Sequence, residues 1–344
     1  MTQAKKIKVF IVDDSSLARE LIRAILSSDK EIQVVGEAVN GREGVEKVLE
    51  LKPDIVVMDI EMPVMDGLEA TELIMASYAV PILIVSTRGD ARTAYAAISK
   101  GALDLIKKPD INLQAAREFI DKIKLLSKVR VITHLGGHRA TKEINKHCKP
   151  VPGSRHSDKI IAVAASTGGP EALSVILSRL PERFPCPVVV AQHISDGFVP
   201  GMVEWLKGLS RLDIKVAAEG DQLSAGTVYV SPSEKHMEIN PVNRISLLER
   251  HPRDIYRPSC DILLSSVARV YGLKSIGVIL TGMGSDGALG IKKIKEARGA
   301  TMAQDEKTSV VFGMNRAAIE SGCIDRILPL DEIADEMACL AGIN

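Results

Sequence analysis

Three residues with the chemistry of a nucleophilic relay close apolar runs in the second half of the chain: Ser166 in AASTGGPEAL, His193 in VVVAQH and Asp286 in GVILTGMGSDGALG. A serine hydroxyl attacks a carbonyl only when a base removes its proton, and an imidazole does this best near neutral pH. A carboxylate then sets the imidazole tautomer and stabilises the imidazolium that forms. After Ser166, the residues Thr167, Gly168, Gly169 and Pro170 permit a tight turn with a helix opening at the proline. The turn has the character of a nucleophile elbow, with A-x-S-x-G in place of G-x-S-x-G. Backbone amides in the Thr167 and Gly168 turn, or at Met283, are candidate oxyanion donors and lining groups.

A different cluster stands in the first half. Asp13 and Asp14 end KVFIVDD, Asp59 ends DIVVMD, Thr87 ends VPILIVST, and Lys108 lies in LDLIKKP. Carboxylates brought within a few ångströms of one another need a cation, and hard divalent ions such as Mg²⁺ take oxygen ligands while keeping several waters. A lysine point charge and a hydroxyl donor beside them suit phosphoryl oxygens. Each residue also has a bland reading. An aspartate ahead of SSLARELI, or a serine before a helix, is often only a helix cap.

Two rival sites remain open at this level. Gly282, Gly284 and Gly287 spell G-x-G-x-x-G after a strand and before a helix, with Asp305 downstream at a distance suited to a ribose contact. That reading makes the chain a non-enzymatic, nucleotide-binding signalling module. Against it, Asp286 lies where a pyrophosphate would rest. A zinc site from His134, His138, His147 and Cys148 is conceivable, but its spacings match no standard finger.

The elements that must position these groups are legible as periodicity. Short β-branched runs at 8–14, 32–39, 54–60, 80–87 and 103–109 alternate with helix-length segments, which predicts βα units on a parallel sheet. The alternation resumes at 160–166, 187–193, 214–219, 277–282 and 300–305, and the runs at 228–249 suggest an appended β-hairpin. Both sets place the polar residues at strand carboxyl ends, where open parallel sheets bind ligands. The fold class is therefore α/β with two doubly wound parallel-sheet domains: a flavodoxin-like domain at 1–124, a basic linker at 125–157, and a Rossmann-like, three-layer α/β/α domain with a β-hairpin at 158–344.

The 344 residues suffice for two domains, and 46% hydrophobic with 26% charged residues excludes a disordered or collagen-like chain. Equal numbers of basic and acidic residues, 44 each, and 3% aromatic content give no field or stacking platform for nucleic acid, so no nucleic-acid partner is expected. Five scattered cysteines without a C-x-x-C pair read as reduced thiols. No run reaches the ~18 to 20 apolar residues of a membrane span, and a cytoplasmic location is expected.

IVDDS, VMDIEMPVMDG, VST and KKP make the first domain resemble the receiver domain of two-component response regulators. The resemblance implies that Asp59 accepts a phosphoryl group from a histidine kinase. It also implies that Asp14, Asp59 and the Glu61 carbonyl bind Mg²⁺ with Asp13 supporting, and that Thr87 and Lys108 sense the phosphoryl group. Leu105 stands where many receivers carry a switch aromatic. The second domain resembles the catalytic domain of chemotaxis protein-glutamate methylesterases through AASTGGPEAL, VVVAQH, AAEGDQLSAGTVYVSP, YRPSCDILLSS, ILTGMGSDGALG and QDEKTSVVFGM. The sequence departs from that pattern at Ala164, where the family has glycine, and at Asn315, where proline is common.

Together the two resemblances imply a phosphorylation-regulated hydrolase of glutamate methyl esters on chemoreceptors that also deamidates receptor glutamines. Ser166 is then the nucleophile, His193 the base and Asp286 the orienting carboxylate. Ser, His, Asp order differs from the Ser, Asp, His order of α/β-hydrolases, which disfavours that superfamily. The implied partners are methylated chemoreceptors and a chemotaxis histidine kinase, met by a monomer that is peripheral to the membrane receptors and not inserted. Mg²⁺ is expected at the receiver and no cofactor at the esterase. The unphosphorylated receiver is expected to cover the catalytic edge.

Overall fold

The computed structural model describes residues 5–86, 91–110, 112–129, 131, 158–251 and 254–343. The expected linker at 125–157 falls outside them except for 125–129 and 131. His134, His138, His147, Cys148 and Thr87 also lie outside the described residues. The chain divides into two compact units, Met1–Glu143 and Ile144–Asn344.

The first unit alternates β1 (Ile7–Val12), α1 (Ser16–Ser27), β2 (Ile32–Ala38), α2 (Gly41–Leu51), β3 (Ile55–Asp59), α3 (Gly67–Ser77), β4 (Ile82–Ser86), α4 (Ala91–Ser99), β5 (Asp104–Lys107) and α5 (Leu113–Leu126). Its five strands are parallel in the order β2-β1-β3-β4-β5. Every residue of β3 and β4 is buried, as strands covered on both faces require, whereas the edge strand β2 is mostly half-exposed. Ser15, Asn40, Asp66 and Asn112 cap α1, α2, α3 and α5 by accepting a backbone amide of the first turn. The strand order reverses between β1 and β3, so Asp13 and Asp59 leave the sheet at its switch point.

In the second unit the order is β6 (Ile160–Ala165), α6 (Gly169–Arg179), β7 (Val188–Gln192), α7 (Val199–Lys207), β8 (Asp213–Val216), β9 (Thr227–Val230), β10 (Lys235–Ile239), β11 (Ile245–Glu249) and α8 (Cys260–Tyr271). There follow β12 (Ser275–Ile279), α9 (Ala288–Glu296), β13 (Ala300–Gln304), α10 (Met314–Glu320), β14 (Arg326–Leu328) and α11 (Leu330–Ala341). Seven parallel strands run β14-β13-β12-β6-β7-β9-β8, with the fully buried β6 between β12 and β7. Both expected parallel sheets are present.

The reading of 228–249 as one hairpin is corrected. Its first run is β9, which pairs parallel with β7 and β8 inside the main sheet, and only β10 and β11 form an antiparallel hairpin. Three of the four β9 residues are buried, so the strand suits an interior position, whereas β11 keeps an exposed end. The hairpin packs Met237, Ile239 and Ile245 into the core that holds Leu263, Leu264 and Val267 of α8. β14 escaped the sequence reading because it has three residues, two of them exposed. Cys186 and Cys260 are buried free thiols and Cys323 is also free. Among the described residues, no helix is long and apolar enough to cross a membrane.

Gly67 opens α3 against the end of β3, and a Cβ there would stand 2.0 Å from the Asp59 carbonyl oxygen, which is backbone and cannot rotate away. Gly67→Ala is expected to destabilise the first unit by roughly 1–3 kcal/mol. Thermal denaturation followed by calorimetry checks this, and an unchanged first-unit transition would contradict the packing.

Candidate active site

Ser166 and His193 are the first residues beyond the adjacent strands β6 and β7, whose last members Ala165 and Gln192 are register partners. The His193 amide donates to the Ala165 carbonyl (3.0 Å) and the Ser166 amide to the Thr281 carbonyl (3.0 Å), which locks both positions to the sheet. The buried Gln192 amide nitrogen bonds the carbonyls of Ser166 (2.8 Å) and His193 (2.9 Å), tying the two turns to each other. Beyond Ser166 the chain turns through Gly168, whose φ of +77° favours glycine, and α6 opens at Gly169. A Cβ on Gly169 would meet the Gln192 side-chain oxygen at 2.0 Å, so this elbow also needs glycine for close approach.

Asp286 reaches the site from the loop after β12. Its Oδ2 lies 2.8 Å from His193 Nε2, and the carboxylate is 2% exposed. Oδ2 also accepts the Cys260 amide (2.7 Å), and Oδ1 accepts the Asp261 amide (2.9 Å), the Ser259 hydroxyl (3.2 Å) and the Gly287 amide (3.1 Å). Cys260 and Asp261 begin α8, so the carboxylate sits on a helix N-terminus, where the dipole favours negative charge. Burial acts to raise the Asp286 carboxyl, but it is outweighed by the His193 hydrogen bond and charge and by the two amides, which hold it below the ordinary carboxylate value of 3.8. With Nε2–H donated to Asp286, the ring's Nδ1 is the nitrogen left to act as a base.

The Tyr256 ring stacks on His193, with centroids 5.2 Å apart and planes at 12°. Cys260 Sγ lies 3.5 Å from His193 Nε2. His193, Cys260 and Asp286 form a cluster with metal-ligand atom types. However, burial raises the Cys260 thiol well above its ordinary range, and the Asp286 oxygens are already filled by donors. The arrangement suits a proton relay better than a metal centre. Thr167 is buried and Met283 is 48% exposed. No hydrogen bond of the Thr167 or Gly168 amide is formed among the described residues.

The glycines of the G-x-G-x-x-G run have packing reasons of their own. A Cβ on Gly282 would meet Ser166 Cβ at 2.7 Å, and one on Gly284 would meet the Tyr256 hydroxyl at 2.8 Å. Asp305 accepts from the Thr308 amide (2.9 Å) and hydroxyl (2.6 Å), so it caps its own turn. Sequence reasoning missed Tyr256, Ser259, Cys260 and Asp261 as partners of the relay. Ser259 ahead of the periodic run CDILLSSVARV is a helix-start signature that locates α8, while the stacking of Tyr256 leaves no sequence signal.

In the first unit, ligand atoms of Asp13, Asp14 and Asp59 lie within 4.8 Å of one another. Lys108 Nζ bridges Asp13 Oδ2 (2.8 Å) and Asp59 Oδ2 (2.7 Å). Burial acts to lower the Lys108 ammonium, yet the two carboxylates outweigh it and hold it above the lysine range. Burial pushes the Asp59 carboxyl up to about 6, with the Asp13 charge adding and Lys108 opposing. One ammonium therefore leaves the pocket short of positive charge. The all-oxygen donor set fits the acidic pocket typical of a Mg²⁺ site. Glu61 lies exposed two residues beyond β3, and Leu105 is buried in β5.

Comparison with known proteins covers both units. Residues 161–337 match the family model of the CheB methylesterase, and residues 9–120 match that of the response regulator receiver domain. The chain is 49% identical over 350 residues to protein-glutamate methylesterase/protein-glutamine glutaminase 3 of Paramagnetospirillum magneticum, which covers 98% of this chain and 97% of the relative. It is 40% identical over 345 residues to the enzyme of that name, without the numeral, from Pyrococcus abyssi, covering 96% and 92%. Among solved structures, the Thermotoga maritima CheB methylesterase catalytic domain superposes with a TM-score of 0.51 at 38% identity, covering 52% of this chain and 96% of that one.

The crowded acidic pocket makes stability depend on pH. The Asp59 carboxyl moves from 3.8 to about 6 on folding, so the folded state binds this proton more tightly, and the fold loses stability as the pH rises from about 4 to 6 and keeps that loss at higher pH. Asp59→Asn is expected to stabilise the first unit at pH 7 in chelator by on the order of 2 kcal/mol, with the gain shrinking as pH falls from 6 to about 4. Added Mg²⁺ is expected to raise the melting temperature of the parent chain more than that of the variant. Melting curves across pH check both, and a gain independent of pH would contradict the assignment.

Proposed function

Since the chain belongs to the CheB family of receiver-regulated protein-glutamate methylesterases/protein-glutamine glutaminases, we propose that Ser166, His193 and Asp286 carry its hydrolysis of glutamate methyl esters on chemoreceptors. The observation that supports this most is the 2.8 Å His193–Asp286 bond at the strand edge shared with Ser166.

In this reading His193 Nδ1 takes the Ser166 proton while Oγ adds to the side-chain carbonyl carbon of the ester. Negative charge moves to the carbonyl oxygen, and the Thr167 and Gly168 amides, which form no hydrogen bond among the described residues, are the candidate donors to it. Met283, half exposed nearby, lines the approach. Collapse of the tetrahedral species breaks the bond to methoxide, which leaves as methanol with the proton from His193. Water then adds to the acyl-enzyme, giving its proton to Nδ1, and departure of Ser166 Oγ with that proton frees the glutamate. A receptor glutamine presents the same carbonyl and releases ammonia in place of methanol. Throughout, Asp286 holds the ring and stabilises its charged form.

At the receiver, an Asp59 oxygen attacks the phosphorus of a phosphohistidine on a chemotaxis kinase. The phosphorus–nitrogen bond breaks with its electron pair returning to the kinase imidazole, which takes up a proton. Asp13, Asp14, Asp59 and the Glu61 carbonyl would hold Mg²⁺, which supplies the positive charge that lets an anionic phosphoryl group approach carboxylates. Lys108 is freed from Asp59 to pair with the phosphoryl oxygens, and Thr87 donates to them. A tenfold activation requires a differential of only ~1.4 kcal/mol between less and more active populations. In this reading the enzyme works in the cytoplasm, as a monomer, on the cytoplasmic portions of membrane receptors without inserting in the bilayer.

Ser166→Ala is expected to lower methanol release from methylated receptor membranes by roughly a thousandfold or more. Asp59→Asn is expected to keep basal release while losing its increase with acetyl phosphate. Full release by the serine variant would sink the esterase assignment, and a normal response by the aspartate variant would sink the regulatory one.

A further inference from the structure

The β10–β11 hairpin carries a second histidine–carboxylate pair that the reaction does not use. His236 on β10 is 3% exposed, and its Nε2 lies 2.9 Å from Asp254 Oδ2. On the other side of the ring, Nδ1 accepts the Ser259 backbone N–H at 2.9 Å. Ser259 is the N-cap of α8, and its hydroxyl donates to Asp286 Oδ1.

This contact fills a specific gap. At many helix starts a glutamate or glutamine three residues past the cap reaches back to the cap residue's own amide. Here that position is Ile262, which has no acceptor in its side chain. His236 supplies the missing acceptor from another element. The next two amides of the same turn, Cys260 and Asp261, are those that hold Asp286 at 2.7 and 2.9 Å.

We infer that His236 is a positioning residue: its Nδ1 fixes the start of α8, and through Asp286 the start of α8 fixes the His193 ring. The hairpin reinforces this from both sides. Ser266 of α8 donates its hydroxyl to the Leu263 carbonyl and accepts the Ile239 amide (2.9 Å), while Arg250 makes a two-pronged pair with Asp196 and also bonds the Ser233 carbonyl. Glu234 accepts the Gly197 amide (3.0 Å). Asp196 and Gly197 belong to the segment that follows His193, so one hairpin grips the chain on both sides of the His193–Asp286 bond. The acceptor role of Nδ1 requires the tautomer with hydrogen on Nε2, and Asp254 selects that tautomer.

The inference rests on the methylesterase reading of Ser166, His193 and Asp286. Its test compares full-length His236→Gln and His236→Asn in methanol release from methylated receptor membranes. Asparagine keeps an acceptor near the place of Nδ1, whereas glutamine keeps a donor directed to Asp254 and loses that acceptor. The glutamine variant is expected to lose roughly tenfold to a hundredfold in kcat with little change in KM, as for a slightly misplaced catalytic group. The asparagine variant is expected to recover most of it. Glutamine activity equal to the parent, or equal loss in both variants, would overturn the proposal. Nitrogen NMR of the parent chain tests it without any substitution: hydrogen on Nε2 of His236 supports it and hydrogen on Nδ1 overturns it. A parent chain that releases no methanol would instead overturn the reading of the site itself.

Discussion

A buried carboxylate is the constraint around which the second unit is arranged. Taking an ionised carboxyl out of water costs several kcal/mol unless its oxygens find donors. Asp286 finds five: His193, Cys260, Asp261, Ser259 and Gly287. Hydrogen bonds to a charged group contribute about 1.5–3 kcal/mol each, so the set offsets the burial only if all the donors stay in place. Two of them are the opening amides of α8, and the carboxylate therefore takes its position from a whole helix.

The arrangement is reciprocal. Asp261, carried on α8, accepts the amides of Gly287 (2.9 Å) and Gly290 (2.7 Å) at the start of α9. Asp286, carried just ahead of α9, accepts the amides at the start of α8. Each helix begins on an acid supplied by the other, which fixes the two N-termini against one another. The consequence is a second carboxylate nearby: burial and the Asp286 charge raise Asp261, against the pull of its two amides. The first unit meets the same crowding of acids with less compensation, one bridging lysine between Asp13 and Asp59. A carboxylate left partly uncompensated is suited to receive a cation and then a phosphoryl group. One held by five donors is suited to stay where it is.

The parallel sheets were legible because their central strands are buried on both faces and read as unbroken apolar runs, while polar residues mark their carboxyl ends. The same logic brought Ser166 and His193 to one edge, since residues that end adjacent parallel strands are neighbours whatever their loops do. The grip on Asp286 was not legible. Cys260 and Asp261 act there through backbone amides, and an amide has no residue type to read. His236 acts through a side chain, but it works from a hairpin whose boundaries the alternation at 228–249 misplaced. β9 belongs to the main sheet, and with that strand counted into the hairpin, nothing in the sequence directs His236 toward the start of α8.

The donors to Asp286 all come from the second unit, and this bears on how control can work. Breaking one of those bonds would expose an unpaired buried charge, with a penalty of a few kcal/mol. A tenfold change in activity corresponds to ~1.4 kcal/mol, less than that penalty. A switch operating on so small a difference does not need to dismantle and rebuild the His193–Asp286 arrangement, and a mechanism that did so would produce far larger ratios. A switch of that size would act on populations in which the His193–Asp286 arrangement is already formed. The donors that set this arrangement belong to its own unit, and a tenfold control would change only how often the geometry is used.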